Sequence, residues 1–134
     1  MCFSQTDMAS SSDAVSAEEL NRYRLQFAQA VEHLKKEATE AEPYVHQYAA
    51  RTVYRACADD LAERHPGSAQ ATALRAHFLS RIAVISHDVE ETQDCQDVLE
   101  KALGLIDAVE EASWVIIPKL VCLNQVNDLH SSLK

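Results

Sequence analysis

The chain has 134 residues, a formal net charge of −9 and only two Gly and three Pro. That length suits one domain that folds without a disulfide or metal, and the scarcity of Gly and Pro favours helices throughout. The first residues lack the basic and apolar stretches of a signal peptide, no apolar run would cross a membrane, and the acidic surface would repel nucleic acid. We therefore expect a cytoplasmic, all-α protein.

The N-terminal part predicts a polar tail followed by a first helix. Residues 1–15 are polar and aperiodic, which predicts a disordered tail before one domain at 16–134. Ser16 and Glu19 have the spacing of a capping box, so we expect a helix from there to about Glu40. Its predicted core stripe is Leu20, Tyr23, Phe27, Ala30, Val31 and Leu34.

A second helix is expected to begin with Pro43 in its first turn and to end at residues 65–67. The link before it is short, which predicts that the first two helices form an antiparallel hairpin. The apolar positions at helical spacing are Tyr44, Tyr48, Ala49, Thr52, Ala56 and Leu61. For Tyr44, Tyr48 and Arg51 the pattern favours core packing with the hydroxyls at the rim over a ligand-binding face.

Two further helices follow, the second of them strongly acidic. Ser68 is the predicted cap of the third helix, whose inner positions are Ala71, Leu74, Phe78, Ile82 and Ile85. Asp88 and Glu91 have capping-box spacing and predict the start of a fourth. The inner positions of this fourth helix are Cys95, Val98, Leu99, Ala102, Leu103 and Ile106.

Nearly all of the net charge lies on that fourth helix. Residues 88–111 carry −8, and the rest of the chain is close to neutral. Such a concentration fits a solvated face that aids solubility, and it equally fits a face that attracts a basic partner. For the second case we assign Glu90, Asp94 and Asp97 to partner binding.

A fifth helix is expected from about Ser113, with Pro118 in its first turn or at a kink. It is apolar around much of its circumference, so more than one neighbour must cover it. The apolar residues are Trp114, Val115, Ile116, Ile117, Leu120, Val121, Leu123, Val126, Leu129 and Leu133. We assign Ile117, Leu120 and Leu123 to an assembly surface, for a protein partner or a homodimer.

Residues typical of catalysis or metal binding do not form a recognisable motif. His33 with Glu37 and His87 with Glu91 are i, i+4 pairs, but no further ligands have matching spacing. The four Cys are widely spaced, which predicts free thiols in a reducing compartment, and three of them fall on apolar helical faces. We expect neither an enzyme nor a metal or other cofactor.

Several short runs resemble the KIF-binding protein family, the kinesin-binding proteins built from tetratricopeptide-like helices. The runs are residues 27–30 (FAQA), 42–44 (EPY), 48–51 (YAAR), 79–84 (LSRIAV), 87–91 (HDVEE), 98–103 (VLEKAL) and 122–129 (CLNQVNDL). They follow the order of the N-terminal helices of that family, whose members are considerably longer. The match concerns framework positions, so it transfers no motor-contacting residue.

The resemblance implies tetratricopeptide-like antiparallel hairpins, about five helices here, that bind a kinesin motor and control its access to microtubules without catalysis. It also implies an association with the cytoskeleton. The alternative from the residues is a self-associating helical bundle, an adaptor or structural protein without a motor partner.

Overall fold

The computed structural model describes residues 15–108, and the structural statements below concern that part of the chain. Its helices, in chain order, are α1 (Ala17–Leu34), α2 (Val45–Arg64), α3 (Ala69–Asp88) and α4 (Thr92–Ala108). No strand occurs between residues 15 and 108, so the all-α prediction is confirmed there. The predicted fifth helix and residues 1–14 of the predicted tail lie outside the described residues.

Helix α1 begins at the predicted cap and ends earlier than expected. The Ser16 side chain accepts a hydrogen bond from the Glu19 N–H at 3.1 Å, and the Glu19 side chain bonds back to the Ser16 N–H. The helix ends at Leu34, so the predicted extension to Glu40 is wrong. Residues 35–43 are all exposed, and a helical turn without a buried face gains little from tertiary packing.

Helix α2 presents a different face to the core than the one predicted. Its buried residues are Ala50, Tyr54, Cys57, Ala58 and Leu61. Of the predicted core stripe only Leu61 is buried; Tyr48 is 42% exposed, and Thr52 and Ala56 are exposed as well. Both stripes have helical spacing, but α1 and α3 pack on the one that carries Tyr54. Pro43 precedes the helix, because Tyr44 is the N-cap residue.

Helix α3 lies at the centre of the domain. The Ser68 hydroxyl accepts a hydrogen bond from the Ala71 N–H, which confirms the predicted cap. The buried residues of α3 surround much of its circumference: Ala71, Ala73, Ala76, Phe78, Leu79, Ser80, Ile82, Ala83, Ile85 and Ser86. Helix α1 packs on α2, α2 on α3, and α3 on α4. A helix buried on several sides needs apolar residues around much of its circumference, and the longer polar side chains of α3, Arg75, His77 and Arg81, stay partly exposed.

The turn between α3 and α4 corrects the second predicted capping box. Asp88 is the last residue of α3 and does not cap α4. Glu90 has a φ of 66°, and the N–H groups of Glu90 and Glu91 bond to the carbonyls of His87 and Ser86. This is a Schellman motif, in which the left-handed residue is usually Gly. The chain therefore turns at Glu90, and α4 starts at Thr92.

The inner face of α4 is as predicted. Cys95, Leu99, Ala102 and Ile106 are buried, and Val98 and Leu103 pack against them in the core cluster. Val15, the last residue of the predicted tail, is also buried, and its N–H donates to Gln70 Oε1 at 2.8 Å. Within residues 15–108, no helix has the length and apolarity needed to cross a membrane.

Candidate functional site

The predicted partner-binding residues fall in two groups. Ile117, Leu120 and Leu123 lie outside the described residues. Glu90, Asp94 and Asp97 lie at the start of α4, but they do not share one outer face: Glu90 is in the turn, Asp94 approaches α2, and Asp97 is exposed to solvent.

An arginine of α2 neutralises two carboxylates beside that turn. Arg51 donates from Nη1 and Nη2 to the two carboxylate oxygens of Glu91 at 2.8 and 3.3 Å, and from Nη1 to Ser86 Oγ at 3.0 Å. Ser86 is fully buried and donates to Asp94 Oδ2 at 2.7 Å, and Asp94 also lies 3.7 Å from Arg51. The Arg51 side chain is only 14% exposed. Glu91 and Asp94 thus hold α2, α3 and α4 together.

Glu90 is held by a second contact from α2. The Tyr44 hydroxyl donates to Glu90 Oε2 at 2.8 Å, and this hydrogen bond raises the pKa of Tyr44. The Tyr44 ring meets the Tyr48 ring edge to face, with centroids 6.2 Å apart. Glu90 therefore combines an unusual backbone conformation with a side-chain contact across the helices.

The remaining acids form what we call the acidic edge: Asp88, Glu90, Asp97, Glu100 and Asp107. All five are exposed. In the described part of the chain, none has a Lys or Arg within ion-pair distance; Asp88 lies 4.0 Å from its neighbour His87, and Asp97 accepts from Gln93. Asp97, Glu100 and Asp107 recur at i, i+3 and i+10, which places them on one side of α4.

Residues of α1 and α3 line an open apolar cavity of about 230 Å³, which we call the aromatic groove. It is lined by Leu20, Tyr23, Arg24, Phe27, Leu74, His77 and Phe78. Phe27 forms the centre of its floor, since its ring stacks on His77 at 5.4 Å and lies 5.3 Å from the ring of Tyr54. Packed rings of this kind give the floor a fixed shape.

Two buried polar atoms, one on the cavity lining and one a helical turn further along α3, have no hydrogen-bond partner in the described structure. The Arg81 guanidinium lies 5.8 Å from the Phe27 ring centroid. Arg81 Nε and His77 Nδ1 are buried, and neither has a hydrogen-bond partner in the described structure. Burial, and then the charge of Arg81, lowers the pKa of His77, so its imidazole is neutral at pH 7. Arg24 at the rim is exposed and forms no ion pair within residues 15–108.

Carboxylates near the aromatic groove are, by contrast, already paired. Asp60 accepts from the Tyr23 hydroxyl at 2.5 Å and from Arg64 at 2.8 Å. Glu19 bonds to His65 at 3.0 Å, and this contact holds the pKa of Glu19 below its usual value. Among the described residues, the unpaired charge on the lining of the aromatic groove is therefore that of Arg24, which is positive.

The exposed stripe of α2 lines a more polar cavity of about 360 Å³. Its lining residues are Tyr48, Arg51, Thr52, Arg55, Ala56 and Asp59. Arg55 lies 3.7 Å from Asp94, so both arginines there have acidic neighbours. This is the face that the sequence pattern assigned to the core.

Thiol chemistry and metal binding find no support in the described residues. Cys57 and Cys95 are buried free thiols, as predicted, and Cys57 Sγ donates to Gln26 Oε1 at 3.2 Å. Burial raises the pKa of Cys57 to about 11 and also raises that of Cys95, so both thiols stay protonated and are weak nucleophiles. No group of three or more His, Cys, Asp or Glu within residues 15–108 has a geometry that could hold a metal ion.

Sequence reasoning missed the aromatic groove. A usable pattern was present, because Leu74, His77, Phe78 and Arg81 recur at i, i+3, i+4 and i+7 and so share one face of α3. No family model, curated protein or solved structure matches this chain.

Proposed function

We propose that the chain is a non-catalytic helical interaction module whose acidic edge meets a basic protein partner. The observation that carries the proposal is the acidic edge itself, five exposed carboxylates without a Lys or Arg partner among the described residues. Unpaired surface charge of one sign steers an oppositely charged partner and raises its association rate. The contacts of Tyr44 and Arg51 to the adjoining turn hold this edge in place.

The resemblance to kinesin-binding proteins makes a kinesin motor domain the first partner to test. The microtubule-binding face of a motor is basic because it meets an acidic filament, so an acidic helix competes for it. Binding there would regulate access of the motor to microtubules. The packing of each helix on the next, with short links at residues 65–68 and 89–91, supports a tetratricopeptide-like arrangement to which the predicted fifth helix would add. The link between α1 and α2 spans residues 35–44 and is longer than the sequence predicted.

The second candidate is self-association without a motor. The apolar pattern of residues 114–133 favours it, because two copies would cover each other's surplus apolar surface. Light scattering after size-exclusion chromatography separates the candidates. A dimer mass that persists on dilution favours self-association, and a monomer that gains mass with a motor domain favours the first proposal.

Charge reversal on the acidic edge tests the first proposal directly. The variant Asp97→Lys, Glu100→Lys and Asp107→Lys changes exposed residues and leaves the turn contacts of Glu90, Glu91 and Asp94 intact. We expect its association rate with a purified kinesin motor domain to fall about tenfold or more at low salt, and the difference to shrink at physiological salt.

The matched control makes the same charge change in the link before α2, at Glu37→Lys, Glu40→Lys and Glu42→Lys, which are exposed. The control should change the rate less than twofold or so. Equal rates for both variants, or no association of the wild type, would overturn the acidic edge as a docking surface.

A further inference from the structure

We propose that the aromatic groove is a second docking site, which binds an acidic segment of a protein partner through one apolar anchor side chain. The inference rests on the proposed role as an interaction module, but it uses residues on α1 and α3 and a partner segment of opposite charge. Three observations support it: the size of the cavity, the pairing of the surrounding charges, and a buried polar atom that lacks a hydrogen-bond partner in the described structure.

The size of the aromatic groove suits a side chain better than a free small molecule. Ligand pockets are usually about 300–1,000 Å³, and this cavity is about 230 Å³. Leu20, Phe27 and Phe78 provide the apolar surface, and the ring contacts of Phe27 keep the cavity from closing. A Leu or Phe presented on a helix or extended segment fills such a space, as in other helix-in-groove complexes.

Charge decides which segment is favoured. Arg24 lines the cavity and forms no ion pair within residues 15–108, whereas Asp60 and Glu19 are paired with Arg64 and His65. A carboxylate of the partner would meet the unpaired Arg24, and no acid is among the described residues that line the cavity. A basic segment would have to break existing pairs or leave Arg24 facing a like charge.

A buried polar atom points the same way. His77 lines the cavity, and its Nδ1 is buried with no hydrogen-bond partner in the described structure. An unsatisfied buried group costs free energy, and an acceptor supplied by a ligand removes that cost. Carboxylate oxygens are the acceptors that bond most strongly to guanidinium.

The test uses synthetic peptides of about four helical turns with Leu at helical spacing between Asp and Glu residues. Two matched peptides replace every acid by Lys or every Leu by Ser. Each is titrated into the ¹⁵N-labelled full chain at pH 7, and amide shifts are followed in ¹H–¹⁵N spectra. We expect the acidic peptide to shift the signals of Leu20, Arg24, Leu74 and His77 and to bind about tenfold or more tightly than the Lys peptide.

Two variants with the same charge change locate the contact. Arg24→Glu at the rim should weaken binding of the acidic peptide about tenfold, whereas Lys101→Glu, exposed on α4, should change it less than about twofold. Both positions are exposed, so folding is not at stake.

Several outcomes would overturn the inference. They are equal binding of acidic and Lys peptides, equal effects of the two Glu variants, shifts confined to the α2 cavity, or no shifts with any peptide. A rise in mass with concentration that Arg24→Glu abolishes would also overturn it, because the occupant would then be a second copy. Motor association that still depends on the acidic edge would leave the proposed function standing. Peptide binding without motor association would refute the acidic edge as a docking surface for a motor and leave the aromatic groove as a docking site.

Discussion

The acidic edge and the aromatic groove both carry unpaired charge, but they differ in what lies beneath it. The acidic edge consists of exposed carboxylates on α4 and the turn before it, and its side chains contribute little to the core. The aromatic groove is built from the core itself, because Phe27 and Phe78 contact Tyr23, Tyr54 and His77. One surface is electrostatic and tolerant of change, and the other is shaped by packing.

The comparison also shows that net charge does not locate a binding surface. The fourth helical region is the most acidic part of the chain, yet the carboxylates of Glu91 and Asp94 already accept hydrogen bonds from Arg51 and Ser86. Conversely, the aromatic groove belongs to a chain of net charge −9, and the unpaired charge on its described lining, that of Arg24, is positive. Pairing within the fold, rather than composition, decides which charges a partner meets.

The largest expected effect is on the floor of the aromatic groove. Phe78 is 2% exposed, so Phe78→Ala should lower the free energy of unfolding by about 3–5 kcal/mol, through lost burial and the cavity left behind. Glu100→Ala on the acidic edge should stay within about 0.5 kcal/mol of wild type. Urea unfolding followed by circular dichroism measures both. Similar losses of unfolding free energy for the two variants would show that the acidic edge contributes to the core as much as the aromatic groove does.

The second-largest loss of stability is expected at Arg51, which binds Glu91 in the turn between α3 and α4. Arg51→Met should destabilise by about 2 kcal/mol, because Ser86 and the Glu91 carboxylate lose their charged donor in a partly buried site. Arg55→Met is the matched control, since Arg55 is about half exposed and only approaches Asp94, and it should cost about 0.5 kcal/mol or less. Equal midpoints in urea would show that Glu91 and Asp94 are as free as the acidic edge.

Lowering the pH should decrease the free energy of unfolding in two separate pH ranges. Desolvation of the partly buried His77 lowers its pKa below the usual 6.5, so the unfolded chain takes up this proton at a higher pH than the folded chain does. The contribution of His77 to the free energy of unfolding is therefore complete above about pH 6.5 and falls as the pH drops below it. The pKa of Glu19 lies below its usual 4.5 because of its bond to His65, so its contribution is lost at lower pH.

These two ranges are separable by mutation. His77→Gln should flatten the dependence of the urea midpoint on pH between about 6.5 and 5, and Glu19→Gln should flatten it only below about 4.5. An unchanged slope in the upper range for His77→Gln would mean that the imidazole at the aromatic groove is not desolvated.

The smallest effect is at the strained residue of the acidic edge. Glu90→Gly and Glu90→Ala both remove the bond from Tyr44, but only Gly accepts a φ of 66° at no steric cost. The Gly variant should therefore be more stable than the Ala variant by about 1 kcal/mol. Equal thermal stability of the two would indicate that the turn relaxes out of the left-handed conformation.

Local features of the chain were predictable and largely correct. The caps at Ser16 and Ser68 depend on residues within a single turn, and the inner face of α4 is its one continuous apolar stripe. The buried state of Cys57 and Cys95 also agreed with expectation, although α2 as a whole was assigned the wrong face. Such features need no knowledge of neighbouring elements, because hydrogen bonds and periodicity inside one helix determine them.

The α2 face, the Asp88 turn and the aromatic groove required the assembled structure. Helix α2 has two stripes at helical spacing, and only the positions of α1 and α3 select the one with Tyr54. Asp88 and Glu91 have capping-box spacing, but the packing of α3 extends that helix through Asp88, and Glu91 is bound by Arg51 instead. Composition and period thus determined the helices, while the contacts between helices far apart in sequence decided their faces and the charges left free for a partner. The reason is physical: an apolar stripe is buried, and a charged side chain is paired, only when another element packs against it.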